Sequence, residues 1–587
     1  MRIERLERGR NELQVYKLAS PSLSLSQTPQ QVTSPLQLPI ALWQLNKNGA
    51  SVPAPPFIVP AALEHLRRST WAGTVKVVPG EADGFCASAA RRVGAAVLTN
   101  DSDLVLFADM QDQGSVVLLH SLRKDAGSGT IGTGKIDAQC WRPAHIAHQF
   151  GISDLLVLGY ERSKDHSASF STIKQRAKLI SSAADTDFGS FATQYDQVGD
   201  TTTAGLQDKM SLNQLDPRFS EFVCQILCLP SVAPTSDSSE FHVSLPILQE
   251  DPTRDSSWKY GRHYRQMAYS LLSSYHSRHR IFLKDDGKSD YHRLTSTPVL
   301  EFSRKGQRVA EERLVMLTNT DLRCLLESDS SVFERYLGSS GSFNCVDYVF
   351  CALRHVCEQR RVDRAPFSTH LIKQYLGIGP LPDETSSFGT SMNRSRAAIE
   401  KQTDLDANGW TLLHLNANVQ AVLYSFRMLK QAIDFVQSHN YMHDLDVAQQ
   451  ISQTSQLNIA LDKATKFLGS LLHLMPSIED LHLNPSELRQ QLRQLPTEEL
   501  QTRMDVLTVD VGIPRYQLLN RHIDVGTLQK SSATLANNTG KPTKADWEAQ
   551  AKKRKRDKHS QNKYKGASTQ SATHGINPFD LLRKAPS

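Results

Sequence analysis

The most constraining stretch of this chain is residues 75–107, VKVVPGEADGFCASAARRVGAAVLTNDSDLVLF. A short apolar run, VKVV, closes on a Pro-Gly turn, a helix of small residues follows, and a second apolar run, AAVLT, leads into Asp-Ser-Asp. Strand, helix and strand within about thirty residues is the βαβ unit, which requires a parallel pair joined by a right-handed crossover. The spacing therefore predicts an α/β layer here.

The acidic residues fall at one place in that layer. In an open parallel sheet, ligands collect beyond the carboxyl ends of the strands. Asp101 and Asp103 follow AAVLT, and Glu81 and Asp83 follow VKVV at the start of the intervening helix. Four carboxylates so gathered repel one another unless protonated or neutralised by cations. Oxygen-rich sites suit Mg2+ or Mn2+, and two such ions about 4 Å apart activate water and stabilise the leaving oxygen when phosphodiesters are cut. The same residues have an ordinary reading beside that one. Acidic residues suit a first helical turn, and Asp-Ser-Asp is common turn and cap chemistry.

Further along, SVVLLHSL and the segment after Lys135 are expected to pair antiparallel, followed by a helix through PAHIAHQFG. AGSGTIGTGKI resembles two phosphate-binding loops through Gly127, Gly129, Gly132 and Lys135. Ile136 stands where a P-loop needs Ser or Thr, and no helix follows directly, so it reads as a turn. The chain divides into a helix and low-complexity lead-in (1–36), an α/β core (37–183), a polar linker (184–208), a mainly helical region (209–533) and a disordered basic tail (534–587). SEFVCQILCL, YRQMAYSLLSSYHSRH, AVLYSFRMLKQAIDFVQSH and QLNIALDKATKFLGSLLHLM carry the helical period, and the second half is expected to be all-α.

Composition narrows the function classes. With 39% hydrophobic residues the chain can bury a real core, and no run reaches the roughly twenty apolar residues of a membrane helix. The first residues, MRIERLERGRNELQVYK, contain no apolar signal-peptide core. Eight cysteines form no CxxC pair, which suggests neither a zinc site nor a disulfide framework and fits a reducing compartment. His276 and His279 lack partners at metal spacing and are expected on a helix surface. The net charge of +6 is concentrated in residues 541–587, where twelve Lys and Arg face four Asp and Glu. Lys552, Lys553, Arg554, Lys555 and Arg556 match a short nuclear-import signal, which predicts a nuclear protein with an import receptor as partner; a solubilising tail is the alternative. NPFDLL at 577–582 is read as an apolar tip or a short docking motif.

VVPGEADGFCASAARRVGAAVLTNDSDLVLF resembles the internal region of flap endonuclease and XPG-type nucleases. PAPPFIVPAALEHL, VVPGEADGFCA, LDPRFSEFV and LPILQEDPTRDSSW more closely resemble the Asteroid family, a divergent branch of that superfamily, over roughly residues 50 to 300. The resemblance implies a PIN-like parallel-sheet core, a mainly α-helical C-terminal half, and Mg2+- or Mn2+-dependent hydrolysis of flap, branched or single-stranded DNA, with RNA as a further substrate. It implies Glu81, Asp83, Asp101 and Asp103 as metal ligands, with Asp101 and Asp103 catalytic.

Leu158-Gly159-Tyr160-Glu161 stands in place of an LGSDY-like motif, so Glu161 would occupy the next ligand position, one methylene longer. The glycine hairpin that follows in flap endonucleases has no counterpart in SASFSTIKQRAKLI. Lys174, Arg176 and Lys178 would there bind phosphate by charge, or form a plain exposed helix face. The strand and aspartates with which active members begin have no counterpart before MRIERLERGRNELQVYK. The site is therefore expected to be incomplete at its front, either because the sequence is truncated there or because the site is a relic, and a catalytically silent scaffold binding nucleic acid or protein is the alternative.

Overall fold

A computed structural model describes residues 2–19, 53–78, 80–107, 110, 114–124, 136–165, 167–179, 186–195, 212–227, 240–281, 297–337, 344–362, 368–376, 409–440, 454–483 and 486–508. The basic run at 552–556, NPFDLL and the glycine loop at 127–135 lie outside them. Backbone contacts divide the chain into two compact units. One comprises Met1–Pro79 and Met210–Lys530, and the other Gly80–Lys209 with Ser531–Ser587.

The described part of the smaller unit carries the acidic residues. Its sheet contains β1 (Ala96–Thr99), β2 (Ser115–Leu118) and β5 (Cys140–Trp141) in the order β1-β2-β5. β1 and β2 run parallel, with Ala96 opposite Ser115 and Thr99 opposite Leu118. β5 runs antiparallel to β2, and β3 (Arg123–Lys124) pairs antiparallel with β4 (Ile136–Asp137), as the sequence suggested.

The expected partner of AAVLT is corrected. Residues 75–78 form no strand, and the parallel neighbour of β1 is SVVL instead. Val77 gives its N–H to Asn213 Oδ1 at 2.9 Å, so a side chain takes the donor that a ladder would have used. β1 is also more open than a buried strand, with Leu98 52% exposed. The core of this unit lies on the other side, where Leu104, Val105, Leu106, Val116 and Leu118 pack with Leu155, Leu158 and Tyr160. The polar stretch read as a linker contains a helix, Thr186–Ala192, whose Phe188 joins that core.

The larger unit is built around the helix Gly409–Asn440, which packs against the helices Arg262–Ile281, Cys345–Val362 and Thr454–His473. The expectation of an all-α second half is corrected by a three-stranded sheet, β6 (Phe241–Ser244), β7 (Val299–Lys305) and β8 (Arg308–Leu314). β7 and β8 form a hairpin in which Lys305 faces Arg308, leaving Gly306-Gln307 as the loop. Gly306 has φ of 60°, the left-handed conformation such loops require. His276, expected at the surface, is only 8% exposed.

The larger unit buries paired charges. Arg265 donates to both oxygens of Glu301 at 2.7 Å, and Tyr269 adds its hydroxyl at 2.7 Å. Arg304 donates to Glu250 at 2.7 Å and to the carbonyls of Pro252, Arg254 and Gly306 at 2.9–3.1 Å. Arg427 grips Asp216 through two bonds of 2.7 and 2.8 Å and reaches Glu64 as well. Burial pushes the Asp216 carboxyl up. The charge and hydrogen bonds of Arg427, with help from Gln431 and Arg67, outweigh that and hold it below the usual carboxylate range. These residues explain three of the quoted segments physically. Glu64 of PAPPFIVPAALEHL and Asp216 of LDPRFSEFV meet one arginine, and LPILQEDPTRDSSW is the loop clamped by another.

Candidate functional site

The Asp-Ser-Asp turn is built by alternation. Asp101 and Asp103 are exposed while Ser102 between them is 2% exposed, and Leu104, Val105 and Leu106 follow into the core as a short 3-10 turn. The run of apolar residues is therefore interrupted only where the chain crosses the sheet edge. Thr99 Oγ1 accepts the Asp101 N–H at 3.0 Å and Asp101 Oδ1 accepts the Asp103 N–H at 3.2 Å. One carboxylate oxygen of Asp101 thus closes a local Asx turn, which is ordinary turn chemistry.

β1 and β2 are parallel, so their carboxyl ends share this edge. Asn100 spans it: its Oδ1 accepts the His120 N–H at 2.9 Å and lies 3.0 Å from His120 Nδ1. The helix Asp83–Val93 packs on β1 and on the 3-10 turn, and begins at Asp83 with Glu81 two residues before it. Both residues are half-buried.

Tyr195 lies in the field of these aspartates. Burial pushes its phenol up to about 12, and the negative charges of Asp103, Asp101 and Asp83 push the same way. Three of the four expected carboxylates thus act on one half-buried ring. Tyr195 also meets Phe107, four residues beyond Asp103, edge to face at 5.3 Å. The acidic pattern of the sequence does not single out Tyr195, Asn100 or His120. Phe188, Phe191 and Tyr195 follow a helical spacing of i, i+3 and i+7, which is the signal that marks the first of these.

Glu161 lies on the helix Leu155–Lys164, is 6% exposed, and has Lys164 Nζ 3.4 Å from its Oε1. That helix reaches the acidic turn through Gly159, which faces Leu106. The three basic residues of the helix Phe170–Leu179 have local partners. Lys174 Nζ stands 4.8 Å from the Phe150 ring centre, and Arg176 pairs with Asp165 at 3.4 Å. Lys178 lies beside Gly151, the left-handed cap of the helix Pro143–Phe150, where a cation suits the helix dipole.

The donor set of Glu81, Asp83, Asp101 and Asp103 is all carboxylate oxygen, the chemistry of a Mg2+ or Mn2+ site. Its placement does not enclose an ion. Among the described residues, no group of three or more His, Cys, Asp or Glu stands where it could hold a metal.

Residues 54–316 match a family described as XPG domain containing. This span takes in the acidic turn and the three segments bound by buried arginines. No curated protein and no solved structure matches the chain. Residues 54–316 are therefore similar to XPG-domain proteins, and the mixed α/β arrangement that they form is consistent with a nuclease-like fold.

Proposed function

We propose that the protein is an Asteroid-like, XPG-type nuclease acting on structured or single-stranded DNA in the nucleus, with Asp83, Asp101, Asp103 and Glu81 as the residues that would hold divalent cations. The observation that carries this reading is the placement of Asp101 and Asp103 at the shared carboxyl ends of two parallel strands, with the helix that begins at Asp83 packed against the same turn. Bound cations would offset the negative charge gathered at this edge and would activate water for phosphodiester hydrolysis. The match to XPG-domain proteins supports the reading at the level of the domain.

One observation favours a second reading. The carboxylates do not close into a ligand group, and Asp101 spends an oxygen on its own turn. That suits a silent nuclease-fold scaffold that binds nucleic acid or protein partners.

Manganese titration of the full chain, by calorimetry, separates the two. The nuclease reading expects Mn2+ binding at millimolar concentration or tighter that Asp101→Ala abolishes, together with cleavage of a flap or single-stranded DNA that the same variant loses. Absence of Mn2+ binding by the native chain would sink it and leave the scaffold.

A further inference from the structure

Beyond the carboxylates, the edge carries a row of aromatic rings. Phe188 meets Tyr160 edge to face at 5.2 Å, Phe191 lies 5.5 Å from Tyr160, and Tyr195 lies 5.1 Å from Phe191 and 5.3 Å from Phe107. The row climbs out of the core: Tyr160 is 3% exposed and Phe188 9%, whereas Phe191, Phe107 and Tyr195 are half-exposed. Its last ring, Tyr195, meets Phe107, four residues beyond Asp103. Phe107 and Phe191 hold that ring in place, so a partner that stacks on it pays little in lost motion.

We infer that Tyr195 is a stacking site for an unpaired nucleobase, which makes the substrate at this edge a single strand or a frayed end rather than closed duplex. The inference rests on the nucleic-acid reading above and gives it a substrate class. In that reading cations at the aspartates would receive the phosphate, and the neighbouring ring offers its face to the attached base. Bases inside a duplex are already stacked and covered, so only an unpaired one can offer its face.

The test uses the full chain in calcium buffer, with fluorescence anisotropy of a labelled oligothymidylate and of a blunt duplex. Tyr195→Leu keeps apolar bulk without a π face, and Tyr195→Phe keeps the face. Stacking on one ring predicts that Leu weakens single-strand binding on the order of tenfold, that Phe stays within about twofold, and that duplex binding is unchanged. Equal binding by native and Leu proteins overturns the inference, as does a Phe variant as weak as Leu or a parallel loss for duplex. If the native chain binds Mn2+ but Leu leaves strand affinity intact, this inference alone fails. If the native chain binds neither oligonucleotide, the inference falls, and a native chain that binds no Mn2+ brings down the nuclease reading separately.

Discussion

Gly159 faces Leu106 so closely that a Cβ built on the glycine would stand 2.8 Å from Leu106 Cδ1 and 3.1 Å from Cδ2. That approach joins the helix of Glu161 to the turn that ends in Asp103. Gly159→Ala should destabilise the protein by about 1–3 kcal/mol through overpacking, read from urea unfolding. Trimming Leu106 to Ala in the same chain should recover part of that loss, and strict additivity of the two changes would show that they do not meet.

Gly261 is more tightly placed. A Cβ there would lie 2.7 Å from the backbone oxygen of Ala421 and also against Ser425 on the central helix. Backbone cannot yield as a leucine tip can, so Gly261→Ala should cost at least as much as Gly159→Ala, about 1–3 kcal/mol or more. Paired thermal melts of the two variants would settle the order.

The Arg427–Asp216 pair is buried, so losing one member leaves an uncompensated charge. Asp216→Ala should cost about 3–5 kcal/mol in chemical denaturation. Replacing both, as Asp216→Leu with Arg427→Met, should cost less than the single change, because neither member of the pair is left buried without the other, although Glu64 also loses Arg427. Glu64 would keep the Ile478 N–H at 2.9 Å. A double variant weaker than the single one would contradict this account.

Stability should decline as the solution is acidified from neutral. Burial, with the Arg427 charge, pushes His482 down to about 3, and burial with Arg254 and Arg304 holds His414 well below its ordinary value. Below about pH 6.5 the unfolded chain binds these protons and the folded chain does not, so each histidine withdraws about 1.4 kcal/mol per pH unit. The loss for His482 runs from about pH 6.5 towards its folded value near 3. His482→Leu should flatten the decline between pH 6 and 4 in denaturant titrations, and an unchanged slope would rule out this source.

The acidic edge was legible because both halves of its signal are local: a Pro-Gly turn before a helix carrying Glu81 and Asp83, and two aspartates at a strand end. The identity of the neighbouring strand was not. Val75–Val78 has the composition of a strand, but its Val77 donor is taken by Asn213, 136 residues away. Tyr195 was hidden by its polar surroundings, in which three aromatic residues at helical spacing stand out only once the helix is known. The β7–β8 hairpin is not legible in the sequence because its strands carry Arg and Glu at many positions, which masks the alternation around Gly306. The buried ion pairs join residues far apart in sequence, a matching that no local pattern encodes.

Asp216 and Arg427 are separated by 211 positions. On a ribosome adding about 5–20 residues per second, the carboxylate waits roughly ten to forty seconds for its guanidinium to emerge. The described part of the acidic unit, by contrast, is encoded in one stretch within 80–209. Birth order thus sets two clocks in one polypeptide, and during the longer one the nascent core has to be shielded from wrong partners.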